Sequence, residues 1–195
     1  MNNISYKFSD YLIKILTFNY RVVKKIIKKE ILKNNNLSVL DMGCGTGTLA
    51  GLFTKNTYLG IDIDEDAVRQ AGKKFPGYKF KAGDAANFKT DRKFDTVLVV
   101  GVLHHLTDEN VKKVAQRINS LLNKNGKVLI IEATHPLETH NVLGLLLRKI
   151  DRGSYVRSIG EYAKLLMDRL SLEKKYEQKG GLLDYAVFVA GGKIH

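Results

Sequence analysis

Tryptophan is missing from these 195 residues, cysteine occurs once, as Cys44, and proline only twice. A single cysteine excludes an internal disulfide and any cysteine-pair metal site, and it makes the cytoplasm the expected compartment. So few prolines, with no Ser/Gly-rich tract, argue against a linker. Residues 1–195 are therefore expected to form one domain, and 44% apolar residues suffice for a substantial core. Long hydrophobic runs are also lacking. The run Val97 to Leu103 falls far short of the roughly 20 residues that span a bilayer. Met1-Asn2-Asn3 is not the basic start of a signal peptide, no cleavage site follows it, and no internal repeat is visible.

Acidic residues are scarce relative to basic ones: 20 against 32, for a net charge of +12. Residues 1–40 hold eight Lys/Arg and only two acids, Asp10 and Glu30. Such an excess invites a polyanion partner, a nucleic acid or an anionic membrane. The reading preferred here is a solvated helix face.

Glycine is plentiful, and its spacing carries the most information. A short apolar run, Leu37 to Leu40, leads into Asp41-Met42-Gly43-Cys44-Gly45-Thr46-Gly47. Thr48 to Phe53 then reads as a helix start. Strand, glycine turn and helix open a nucleotide-binding α/β unit. The third glycine comes one position earlier than in the dinucleotide fingerprint, and Thr48 stands where that pattern wants a small residue. Asp41, two residues before the first glycine, is a poor neighbour for a pyrophosphate and a good one for a ligand carrying an ammonium and a sulfonium.

Further along, Asp10 to Lys33 reads as a basic amphipathic helix ended by Asn34-Asn35-Asn36, and Thr57 to Asp62 as a second strand. Asp62 falls 19 positions after Gly43, near the spacing of a ribose-binding acid. Asp64 reads as the cap of the next helix. Tyr78 to Ala82 is a third strand, closed by Gly83-Asp84-Ala85. Phe94 to Val100 is a buried parallel strand, and Gly101 to Leu106 follows its carboxyl end. A helix capped by Thr107 runs to about Leu122. Asn123 to Gly126 is expected to be its C-terminal turn, with Gly126 a left-handed stop, and Lys127 to Glu132 a fifth strand. Leu137 to Ile150 suggests a helix. Ser158 to Glu161 is a capping box for a helix to about Leu170. Leu172 to Gln178 and Leu182 to Ala190 read as an antiparallel hairpin at a sheet edge.

Asp41-x-Gly43-x-Gly45-x-Gly47 resembles motif I of class I S-adenosylmethionine (SAM)-dependent methyltransferases, and the resemblance extends from about Leu37 to Glu132. It implies a doubly wound, Rossmann-like sheet of seven strands, mostly parallel with an antiparallel C-terminal hairpin strand and helices on both faces. Its parts would be a basic helix and lid (1–36), a cofactor-binding core (37–133), a substrate-recognition insertion (134–170) and a C-terminal hairpin (171–195). It implies SAM as cofactor, held by Asp41, Gly43, Gly45, Gly47, Asp62, Ile63, Asp84, Ala85 and Val100. Asp84 and the Ala85 amide would meet the adenine edge. Tyr6, Phe8 and Tyr11 are candidates for such a lid, with ordinary helix packing the preferred alternative.

Methyl transfer from a sulfonium asks the protein mainly to align the acceptor and exclude water. A base is needed only for a protonated acceptor. His105, then His104, are the expected bases, with Glu132 and His135 behind them. Tyr11, His135, Arg148, Arg152 and Arg157 are candidates for the acceptor side, since a guanidinium suits an anion. No spacing supports a metal site. The expected activity is methyl transfer to a small molecule or a glycan/lipid intermediate. The alternatives are a non-catalytic SAM-binding protein with a basic partner surface, an RNA ribose methyltransferase, and a nicotinamide-dependent oxidoreductase, against which the early third glycine and Asp41 speak. Nucleic-base methylation fits poorly: Val100-Gly101-Val102-Leu103 stands where amino methyltransferases carry Asn/Asp-Pro-Pro-aromatic, and Cys44 is in the wrong loop for a cytosine-C5 enzyme. The N-terminal helix could also lie on an anionic membrane.

Overall fold

The computed structural model describes residues 20–32, 37–135, 155–180 and 183–193. Among them, seven strands form one sheet in the order β3-β2-β1-β4-β5-β7-β6. The strands are β1 (Val39–Met42), β2 (Tyr58–Asp62), β3 (Lys79–Ala82), β4 (Phe94–Val100), β5 (Leu122–Ala133), β6 (Leu170–Gln178) and β7 (Tyr185–Gly192). The first five run parallel to one another, and β7 lies antiparallel between β5 and β6.

Alternation of side chains across the central strands builds two cores. Leu40, Met42, Leu59, Ile61, Val97, Val99, Val128 and Ile130 point to one face. There they meet α3 (Asp108–Leu121), through Val111, Val114, Ala115, Ile118 and Leu121, and α4 (Ile159–Leu166), through Tyr162 and Leu166. Val39, Leu98, Leu129, Ile131, Val187 and Val189 point to the other face, against Val23, Ile26 and Ile27 of α1 (Arg21–Glu30). Each fully buried Leu, Ile or Val contributes roughly 1.5–3 kcal/mol.

Helix starts follow local chemistry. Asp64 accepts from the amides of Asp66 and Ala67 and caps α2 (Glu65–Lys74), as expected. Thr107 caps α3 through the Asn110 amide. Ser158 and Glu161 form the full capping box of α4.

Three expectations are corrected. Thr48 to Phe53 does not start an α-helix; turns lead to a single 3-10 turn, Ala50–Leu52. Only ten residues separate Gly47 from Tyr58, too few for a helix of several turns and its return. Gly126 does not stop a helix in the left-handed region: β5 begins at Leu122 and Gly126 lies within it. A Cβ there would stand 2.8 Å from the Phe94 carbonyl oxygen, so close packing beside the β4–β5 bulge requires the glycine. Finally, α4 ends at Leu166, and Leu170 already belongs to β6. The expected helix at 137–150 lies outside the described residues.

Candidate functional site

The sheet order reverses between β1 and β4, so the loops leaving their carboxyl ends diverge and open a crevice. The glycine loop leaves β1 there. Its first amides are still tied to the sheet: Gly43 and Cys44 both donate to the Ile61 carbonyl, at 2.8 and 2.9 Å. Gly43, Gly45 and Gly47 all have positive φ, at +83°, +51° and +74°. Packing leaves no room for a side chain at the first and little at the third. A Cβ on Gly43 would lie 2.2 Å from Cγ2 of Val102, and one on Gly47 would crowd Phe75, Phe80 and Ala71 at 3.1–3.2 Å. At Gly45 nothing lies within 4 Å of that position. The middle glycine therefore faces open space, and the absence of a side chain leaves that side of its backbone approachable.

Asp62 ends β2 beside this loop. Its Oδ2 accepts from the Gly45 amide at 2.7 Å and its Oδ1 from the Asp64 amide at 2.9 Å. Each carboxylate oxygen has two acceptor sites. Ile63, next in the chain, is 77% exposed although large and apolar. The Gly83 amide donates to the Asp62 carbonyl and joins the ends of β2 and β3. Beyond it, Asp84 is exposed and accepts from the Ala86 amide and the Asn87 side chain, while Ala85 is half-buried against the core.

Asp41 differs from expectation. Its carboxyl lies beneath the loop, 1% exposed, and accepts from the Tyr58 hydroxyl at 2.7 Å. Burial pushes its pKa up to about 7, assisted by the negative charge of Asp62 and opposed by the Tyr58 hydrogen bond. It supports the loop from below rather than lining its open side. Cys44 is buried in the loop and its thiol pKa is pushed up, chiefly by burial.

The loop after β4 gives further corrections. Val100 is half-buried at the strand end, and Gly101 turns the chain at φ +66°. A 3-10 turn, Leu103–His105, follows. His104 is 3% exposed, with its Nδ1 2.8 Å from Glu132 Oε2. It points into the protein, as does Glu132, whose carboxylate is occupied by backbone amides of the turn. His105 is exposed, with its ring 4.0 Å from that of His104. His135 is exposed after β5. Arg157 does not face an acceptor: it is buried, and its five N–H donors serve Leu103, Leu106, Tyr155 and Asp108. Tyr6, Phe8, Tyr11, Arg148 and Arg152 lie outside the described residues.

Sequence reading missed Tyr58 and Val102, which support the glycine loop from below and from the side. Tyr58 stands in an apolar strand where a hydroxyl needs a partner if buried, and Asp41 is a matching one. Nothing local marks Val102. Among the described residues, no helix is long and apolar enough to cross a membrane, and no group of three or more His, Cys, Asp or Glu could hold a metal ion.

Residues 39–126 match the family model of a methyltransferase domain. A Bacillus cytotoxicus protein described as an uncharacterized methyltransferase is 30% identical over 109 residues, 54% of this chain and 51% of that protein. The chain thus spans about half the length of the curated relatives it matches. The fold resembles that of magnesium protoporphyrin IX methyltransferase from Synechocystis PCC 6803, solved with bound SAH, with a TM-score of 0.70, 22% identity, and coverage of 90% of this chain and 84% of that one. It also resembles human N-acetylserotonin methyltransferase in complex with SAM, with a TM-score of 0.71, 20% identity, and coverage of 97% and 56%. The segment 39–126 is thus similar to a methyltransferase domain, and the sheet as a whole shares the fold of these solved methyltransferases.

Proposed function

We propose that this chain is a SAM-dependent methyltransferase whose acceptor is a small molecule or a glycan/lipid intermediate. The observation that carries the reading is the pairing of an open, positive-φ Gly45 with the Asp62 carboxylate at the adjacent strand end. The donor set fits the cofactor. Asp62 accepts from a ribose diol. Ile63 and Ala85 offer apolar surface to a base, and Asp84 with the Ala85 amide reads its edge. Gly43, Gly45 and Gly47 let the amino-acid portion approach the backbone, and Val100 closes the near end of the crevice.

When bound, SAM supplies a methyl group already activated on a sulfonium. The protein's part is to hold the acceptor in line and keep water out, worth on the order of 7–11 kcal/mol for well-aligned reactants. His105, exposed on the loop after β4, takes a proton from the acceptor where that acceptor is a hydroxyl or carbon acid. His135 joins the acceptor side from β5, with Tyr11, Arg148 and Arg152 as further candidates. A small acceptor is supported by the two enzymes of like fold named for magnesium protoporphyrin IX and N-acetylserotonin.

Calorimetry with SAM, S-adenosylhomocysteine and NAD tests the reading. Binding of the first two and not of NAD is expected. NAD binding alone sinks it. Incubation of a cell extract with methyl-labelled SAM, read by mass spectrometry, then identifies the acceptor.

A further inference from the structure

The turn between β4 and α3 is gripped from two sides by buried, oppositely charged side chains. Glu132, on β5, has no exposed surface. Its Oε1 accepts from the amides of Val102 and Leu103 at 2.9 and 2.8 Å. Its Oε2 accepts from the His104 amide at 3.3 Å and from His104 Nδ1 at 2.8 Å. One carboxylate thus holds three successive backbone amides and the imidazole between them. Arg157 takes the carbonyl side of the same turn. It donates to Leu103 O at 3.1 Å, Leu106 O at 2.8 Å and Tyr155 O at 2.9 Å, and it binds Asp108 Oδ1 through Nη2 and Nε at 2.6 and 3.0 Å.

These contacts decide where two residues beside the crevice sit, half-buried Val102 and exposed His105. Val102 is held so that its Cγ2 fills the space a Gly43 side chain would need. His105 is held with its ring over that of His104, which is itself fixed on Glu132. Charged groups buried in this way are costly unless every polar atom is met, and here the backbone of one turn meets them. A chain needing only a β4–α3 connection could have used a few polar loop residues in water.

We propose that Glu132 and Arg157 are positioning residues: together they preset the turn that seats Val102 on the glycine loop and aims His105 into the crevice, without touching cofactor or acceptor themselves. The meaning of that crevice rests on the methyltransferase reading; the preset turn does not.

The test uses nuclear magnetic resonance on the full, ligand-free chain. The wild-type amides of Val102, Leu103 and His104 are expected to exchange with solvent far more slowly than exposed loop amides, and the His105 ring signals to carry the ring-current shift of His104. Glu132→Gln keeps the shape but turns donors toward His104. Arg157→Lys keeps the charge and loses the fork. Each is expected to lose the His105 shift and the protection of the three amides, while core strand amides stay protected. Calorimetry on the same variants is expected to show SAM affinity reduced about tenfold, the equivalent of roughly 1.4 kcal/mol. Unprotected amides in the wild type, or a His105 signal and protection unchanged in both variants, overturn the proposal. Should Glu132→Gln not fold, the wild-type exchange pattern and Arg157→Lys decide. Absence of SAM binding by the wild type would overturn the methyltransferase reading alone, because the exchange and ring-shift results are obtained without ligand.

Discussion

The Tyr58 hydroxyl donates to the Asp41 carboxyl across 2.7 Å, directly beneath the glycine loop. Burial raises the Asp41 pKa from 3.8 to about 7, so between those values the folded chain holds a proton that the unfolded chain has released. Stability from this group is full below the unfolded value and falls as pH rises toward the folded one. Asp41→Asn mimics the protonated form and removes the titration. Thermal melts of both proteins from pH 4 to pH 8 should show the variant gaining on the wild type up to about pH 7, then a constant gap. Parallel curves across that range would contradict the assignment.

The first two loop glycines should respond differently to one added methyl group. Both have positive φ, which costs an alanine about 1–2 kcal/mol. Gly43→Ala also drives a Cβ into Val102, whereas Gly45→Ala meets nothing. Denaturant midpoints should therefore fall further for Gly43→Ala. Gly45→Ala should stay folded yet bind SAM poorly, because its methyl group occupies ligand space. Wild-type affinity in that variant would remove the loop from the site.

Asp62 and Ile63 separate support from recognition. Asp62→Ala takes an acceptor from the Gly45 amide and, on the proposed reading, would take two from a ribose diol. Hydrogen bonds to a charged group contribute roughly 1.5–3 kcal/mol, so SAM affinity should fall at least about tenfold. Ile63→Ser changes an exposed side chain, and stability should move by no more than about 0.5 kcal/mol. Its SAM affinity should nevertheless drop several-fold. A stability loss without an affinity loss would make Ile63 a packing residue.

Glu30 gives a pH response of the opposite sign. It joins α1 to β6 by accepting from Lys174 Nζ at 2.9 Å and the Tyr176 hydroxyl at 3.1 Å. Burial is the largest single influence on its pKa and raises it, but the hydrogen bonds and nearby lysine charges together outweigh burial and lower it below 4.5. Its contribution is therefore present above that value and lost as pH falls through the folded one. Glu30→Gln should cost about 1–2 kcal/mol in denaturant titrations at neutral pH and much less at pH 3. An equal cost at both pH values would show that charge plays no part.

Elements set by short-range chemistry were legible from the residues. Asp64, Thr107 and the Ser158–Glu161 pair each satisfy amides within three residues, so spacing alone finds them. The apolar run of β4 and the alternation near the C-terminus gave the strands. Local spacing does not mark Glu132 and Arg157 as supports of the turn, because their partners lie up to 30 and 54 residues away. One clue was available: Glu132 follows the wholly apolar Val128 to Ile131, and an acid buried there must be answered by donors from elsewhere. Motif spacing sets Asp41 beside the glycine loop but does not report which side of a strand a carboxyl takes, so its burial is visible only in the fold.

The position of β7 has a consequence for synthesis. Among the described strands it is the last made, yet it fills the gap between β5 and β6. Until it emerges from the ribosome, β5 presents a bare edge of unpaired amides and carbonyls, and β6 has no strand to lie against. The crevice-side strands β1 to β4 have all their strand partners much earlier. Nascent chains stalled before Tyr185 should consequently be the species that holdase chaperones retain, and release should coincide with arrival of β7.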